Sequence, residues 1–182
     1  MITLLKRWSI SLLFLTAASA AFAQDTAQPE KEFNKVYAGL GLGLDYGGFG
    51  AKIEYLPIEE IGVFAGLGYN LEEAGWNVGV SYKLKLSERV SLNPLVMYGY
   101  NGVLKVDGAP EYDMVSYGTT FGANVDIYVG NGRNKVSVGL YVPVRSKKFM
   151  DNYDAVKDDS YIEMKNELLP IAIGIGYNWK LN

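Results

Sequence analysis

The sequence predicts an all-β chain that closes into an eight-stranded antiparallel up-and-down transmembrane β-barrel, and three observations predict it. Large apolar residues alternate with small or polar ones in eight successive segments, and successive side chains on a strand point to opposite faces. Of the 21 glycines, 14 fall in the polar phase of those segments and none in the apolar phase. No stretch after residue 23 approaches the ~18 apolar residues of a membrane helix, so a chain retained in lipid has to cross it as a closed barrel, where every backbone group finds a partner.

The leader comes first. Lys6 and Arg7 precede an apolar run, Trp8 to Phe22, and Ala21-Phe22-Ala23 is a small-x-small cleavage pattern, so residues 1–23 read as a secretory signal peptide. Its removal takes two of the 17 basic residues and none of the 20 acids, leaving a net charge of −5 and arguing against a nucleic-acid partner. Residues 24–34 are polar and unpatterned, a flexible lead-in to a barrel spanning 35–182.

Strand one sets Val36, Ala38, Leu40, Leu42 and Leu44 against Tyr37, Gly39, Gly41 and Gly43, and Asp45 to Gly48 is a short turn. Strand two carries Phe49, Ala51, Ile53 and Tyr55 against Gly50, Lys52 and Glu54; strand three carries Val63, Ala65, Leu67 and Tyr69. After a polar turn at 71–75, strand four alternates from Trp76 to Leu86, and Ser87 to Arg89 reverses the chain. Strand five, Val90 to Tyr100, contains Pro94, which removes a ladder hydrogen bond and predicts a bulge. A loop at 102–114 leads to strand six, Val115 to Val129, the most regular, and GNGRN at 130–134 is a tight turn. Strand seven runs from Val136 to Val144, a long loop occupies 145–167, and the final strand alternates from Leu169 to Leu181.

Glycine decides which phase faces out. On an exposed face it weakens a strand and packs against nothing, whereas inside a narrow barrel it makes room. Eight strands enclose about one layer of side chains, too little for the whole apolar phase, so that phase faces lipid. Aromatics then form two girdles at headgroup depth: Tyr46, Phe49, Tyr69, Trp76, Tyr98, Tyr100 and Tyr117 at the outer rim, and Tyr55, Tyr82, Tyr177 and Trp179 at the inner one. The inward phase carries Lys35, Lys52, Glu54, Lys83, Lys85, Asp126 and Lys180, a charge network in which five lysines face two acids, beside bulky Tyr37, Phe64, Leu95, Met97, Tyr128 and Tyr141.

Short turns at one end and longer loops at the other, on this alternation, give the chain an architecture that resembles the small eight-stranded outer-membrane β-barrels, such as the membrane domain of outer-membrane protein A and the outer-membrane protein X group. The resemblance covers the whole mature chain and implies an outer-membrane location in a Gram-negative envelope, though this chain ends on Asn182 where such barrels usually end on an aromatic residue. It carries no diagnostic motif, so no functional residue follows from it.

Chemistry is sparse. The chain has no histidine and no cysteine, hence no imidazole base, no thiolate and no disulfide framework, and no G-x-S-x-G appears. The acids Asp151, Asp154, Asp158 and Asp159 match no calcium loop and are interspersed with lysines, which reads as a solvated loop. The expectation is therefore a monomeric, non-enzymatic barrel with no catalytic, metal or cofactor site. It anchors in outer-membrane lipid and presents loops 102–114 and 145–167 to an extracellular partner. The alternatives are a narrow, porin-like, anion-favouring passage and a soluble lipocalin-like binder.

Overall fold

The computed structural model describes residues 34–106, 112–130, 133–158 and 168–182. The leader read at 1–23 and all but the last residue of the lead-in lie outside the described residues.

Alternating side chains resolve into nine β segments: β1 (Lys35–Gly43), β2 (Gly48–Leu56), β3 (Ile61–Tyr69), β4 (Ala74–Tyr82), β5 (Leu84–Ser87), β6 (Val90–Leu104), β7 (Met114–Val129), β8 (Asn134–Pro143) and β9 (Ala172–Lys180). Every pairing is antiparallel, neighbours in sequence other than β4 and β5 pair with one another, and β1 pairs β9, which closes the sheet. β4 and β5 both pair β6 in one continuous register, Ser81 opposite Leu95 and Leu84 opposite Leu92, so they are two parts of one stave and the barrel has eight. The break falls at Lys83, next to the position facing Pro94, whose missing N–H cannot complete the ladder. This corrects the bulge expected at Pro94, since the register of β6 on β7 runs through Pro94–Ala123 without a shift. The shifts lie elsewhere, between Tyr100 and Gly102 and between Lys85 and Ser87.

Pairing keeps the phases in step around the barrel: Val125 faces Val138, Val138 faces Ile175, Ile175 faces Leu42, and Leu42 faces Phe49. A one-residue slip at any seam would swap the faces. The outward phase is exposed and apolar, with Phe49 at 69% and Ile173 at 76%, and among the described strands it holds no charged side chain. The core is the lumen. Tyr37, Phe64, Leu95, Met97 and Tyr141 are buried there and Tyr128 is half-buried.

Three elements at the loop end depart from the sequence reading. Residues Leu44–Tyr46 form a 3-10 turn folded into the lumen, all three buried, where a plain hairpin turn is expected. Gly47, at φ 72°, accepts the left-handed geometry that ends it and turns the chain back into β2. The hairpin of β6 and β7 runs on to Leu104 and Met114, shortening the loop expected at 102–114, because the extra residue Asn101 is absorbed as a bulge. Within the long loop, helix α1 (Lys147–Asp158) forms, started by Ser146, whose Oγ accepts the Phe149 N–H at 3.2 Å. Phe149, Tyr153 and Val156, spaced along one helical face, bury against Leu104 and Val106 and cap the loop end. Residues 159–167 of that loop, Asp159 included, lie outside the described residues.

Candidate functional site

Alternation on four staves aims one set of ionic side chains at a common point. Glu54 on β2 accepts Lys83 Nζ through Oε1 and Lys135 Nζ through Oε2, each at 2.5 Å. Asp126 on β7 accepts Lys135 Nζ at 2.7 Å, has Lys83 Nζ at 3.5 Å, and accepts the Ser137 hydroxyl at 2.6 Å. All four charged side chains are at most 6% exposed. Lys135 Nζ also stands 4.6 Å from the centre of the Tyr37 ring, a cation–π contact away from water.

A second pair lies nearer the loop end, where Lys52 Nζ donates to Asp45 Oδ2 at 2.5 Å and stands 4.3 Å from the Tyr46 ring centre. One hydrogen-bonded chain joins the two groups. Tyr46 Oη donates to Asn178 Oδ1 at 3.1 Å, Asn178 Nδ2 donates to Ser137 Oγ at 3.0 Å, and Ser137 reaches Asp126. Asn77 Nδ2 ties the inward turn to the opposite wall by donating to the carbonyls of Leu44 and Tyr100 at 2.6 and 2.8 Å. Three buried lysines thus meet three buried acids, a neutral set in which each charge has a partner, as burial in a low dielectric demands.

The structure brings together four residues of the expected network, Lys52, Glu54, Lys83 and Asp126. Lys85 is a correction: it keeps the inward phase opposite Ser91 but sits at the open turn-end mouth of the lumen, where its side chain is two-thirds exposed and pairs with Glu59 instead of joining the buried cluster. Lys35 and Lys180 are half-buried at the turn end, outside the central cluster. Two members escape sequence reasoning. Lys135 falls between the turn read at 130–134 and the strand read from Val136, in the inward phase; extending strand seven back by one residue finds it. Asp45 carries no signal, since its position depends on the turn folding inward.

The same inward turn corrects the girdle. Tyr46 is 1% exposed inside the barrel, and Tyr100 is 9% exposed beside Leu44, because the bulge at Asn101 and the neighbouring Gly99, at φ 147°, turn it in. Phe49, Tyr55, Tyr69, Trp76, Tyr82, Tyr98 and Trp179 are exposed on the outer face, while Tyr117 and Tyr177 are half-buried. Trp76 stacks between Tyr98 and Tyr117, at 6.2 and 5.8 Å, and Tyr177 meets Trp179 edge-on at 5.0 Å.

Lumen glycines face these rings. A Cβ on Gly176 would stand 2.2 Å from Tyr46 Oη, one on Gly41 2.7 Å from its ring, and one on Gly79 2.6 Å from Phe64. Their absence is what lets eight staves close over so many aromatics. Asn93 and Thr120 present buried polar atoms with no partner among the described residues, positions suited to ordered water.

At the loop end Arg145 is half-buried against Gly102 and α1, and burial holds its guanidinium below its ordinary pKa. The hydrogen bond to Glu72 holds exposed Lys105 above its own. Asp151 and Asp154 are exposed on α1, and no group of three or more metal-ligating side chains exists among the described residues.

No protein-family model matches this chain, and no curated protein matches it.

Proposed function

We propose that this chain is a non-enzymatic outer-membrane barrel that anchors itself in lipid and presents a capped loop end to the outside. The observation that carries this is the outward face: apolar on every stave, without a charge among the described strands, and rimmed by exposed aromatics. Water would penalise so continuous an apolar surface on a monomer, whereas hydrocarbon is its natural solvent. Nine-residue staves such as β1, β2 and β3 also match the length needed to cross a bilayer at a tilt.

A charge-balanced, ring-filled lumen weighs against an anion-favouring passage, which needs uncompensated cations along an open path. The apolar side of a lipocalin-like binder would line its cavity, which is the reverse of the arrangement here. The test is flotation with phospholipid vesicles, followed by gel electrophoresis with and without boiling. The expected result is a vesicle-bound band that resists SDS and shifts on heating. A protein that stays monomeric in detergent-free buffer and does not float would overturn the proposal.

A further inference from the structure

The first hairpin bends inward through Leu44–Tyr46, and beside it at the loop end lies a cavity of about 320 Å³. Its lining comes from both faces of the wall. Leu42, Phe49 and Ile173 belong to the exposed outward face, whereas Leu44, Tyr100 and Val103 belong to the upper lumen. No lining residue is charged. Gly43 and Gly48 contribute no side chain between the two sets, so the apolar outer band continues over the hairpin into the lumen.

Three lining side chains carry polar atoms: the hydroxyl of Tyr69, which donates to the Leu71 carbonyl at 3.1 Å, the hydroxyl of Tyr100, and the amide of Asn70. Asn70 is 2% exposed, and its Oδ1 accepts the N–H groups of Glu72 and Glu73 at 3.1 and 2.8 Å. Those bonds fix which way round the amide sits, and its Nδ2 is left as a buried donor without a partner among the described residues. The next residue, Leu71, lines the cavity too, at φ 78°, a left-handed geometry that costs a branched residue energy. The Asn70 turn holds it there, 68% exposed at the cavity edge.

We propose that this notch is a lateral site for one acyl chain of a membrane lipid. The hydrocarbon enters from the outward face to lie on Leu44 and Tyr100, and the ester carbonyl accepts the Asn70 amide hydrogen. The assignment rests on the membrane reading above. It commits to a lipid because the cavity opens on the same apolar band that lipid would cover, and because the donors it offers, the Asn70 amide and the Tyr100 hydroxyl, are neutral and suit a neutral carbonyl better than a charged solute.

The experiment uses the full chain in phosphatidylcholine vesicles containing a phosphatidylcholine with a diazirine on one acyl chain, with crosslinks mapped by peptide mass spectrometry after photolysis. Outward residues such as Val138 and Leu140 become labelled by surrounding lipid, and Leu44, Tyr100 or Val103 become labelled as well. Ala172→Trp, which fills the notch, abolishes the lumen-side labels and keeps the outward ones. Val103→Trp does the same from the opposite wall, should the first variant fail to fold. Labels confined to outward residues in the unmodified protein would leave the notch to water or to a second copy of the chain and overturn the proposal. Lumen-side labels that survive in both folded variants would overturn it too. A protein that neither floats with vesicles nor takes label on Val138 or Leu140 would sink the membrane reading, and this site with it, an outcome distinct from the other two.

Discussion

Glu54→Ala removes the acid on which two buried ammonium groups converge. In the intact lumen Glu54 receives Lys83 and Lys135 at 2.5 Å each, and Asp126 is the other acid within reach, at 3.5 Å from Lys83 Nζ and 2.7 Å from Lys135 Nζ. Truncation therefore leaves two cations sharing one carboxylate, with a net positive charge away from water. Breaking a buried pair by deleting one partner costs ~3–5 kcal/mol, and the lower end applies here because Asp126 still serves both lysines. Equilibrium unfolding by urea in phospholipid vesicles reads the loss through the fluorescence of Trp76 and Trp179, which stand near opposite ends of the barrel. The double variant Glu54→Ala/Lys135→Met restores neutrality, leaving Lys83 with Asp126, and should recover about 1–2 kcal/mol relative to Glu54→Ala alone. The reasoning is refuted if Glu54→Ala unfolds at the wild-type urea concentration. It is refuted equally if the double variant loses the sum of the two single losses.

Three further outcomes follow from the same geometry. Val138→Arg places a cation on the outward face between Val125 and Ile175 and should weaken vesicle insertion by ~2–4 kcal/mol if that face meets mid-bilayer, measured by folding yield and urea midpoint. Gly176→Val drives methyl groups into the space of the Tyr46 hydroxyl, so folding should fail or the inward turn should be expelled, with Lys52 then open to amine labelling. Phe149→Ala uncovers Leu104 and Val106 and should speed proteolysis within 145–158 while the urea midpoint of the barrel stays near wild type, because α1 packs on the loop end and not in the central charge cluster.

The last of these shows where a loop-length argument runs out. A structureless loop at 145–167 would tolerate deletion of Asp151–Ser160, since added loop costs little entropy. Tyr153 and Val156 are instead buried, and their removal exposes a hydrophobic cluster. The helical spacing of Phe149, Tyr153 and Val156 was present in the sequence, but twelve polar-rich residues state a helix weakly until a partner surface such as Leu104 is known.

What the sequence determined by itself is what a two-residue period and the placement of glycine within it state: eight staves, their order, which phase is apolar, which phase faces in, and therefore that Lys52, Glu54, Lys83 and Asp126 share the inside with Phe64, Met97 and Tyr141. That information is local, because each side chain's face depends only on its place in its own strand. Only the tertiary structure decided matters of distance and of broken phase. The inward fold of Leu44–Tyr46 brought Asp45 to Lys52 and took Tyr46 out of the girdle, and the Asn101 bulge turned Tyr100 in. The depth of Lys85, at the open turn-end mouth, paired it with Glu59 outside the buried set, and Lys135 completed the balance. Counting charges along separate strands left five lysines against two acids. The closed lumen holds three against three, because an unpaired ion is too costly to bury and the turns and bulges, which obey no period, are free to supply or withdraw one.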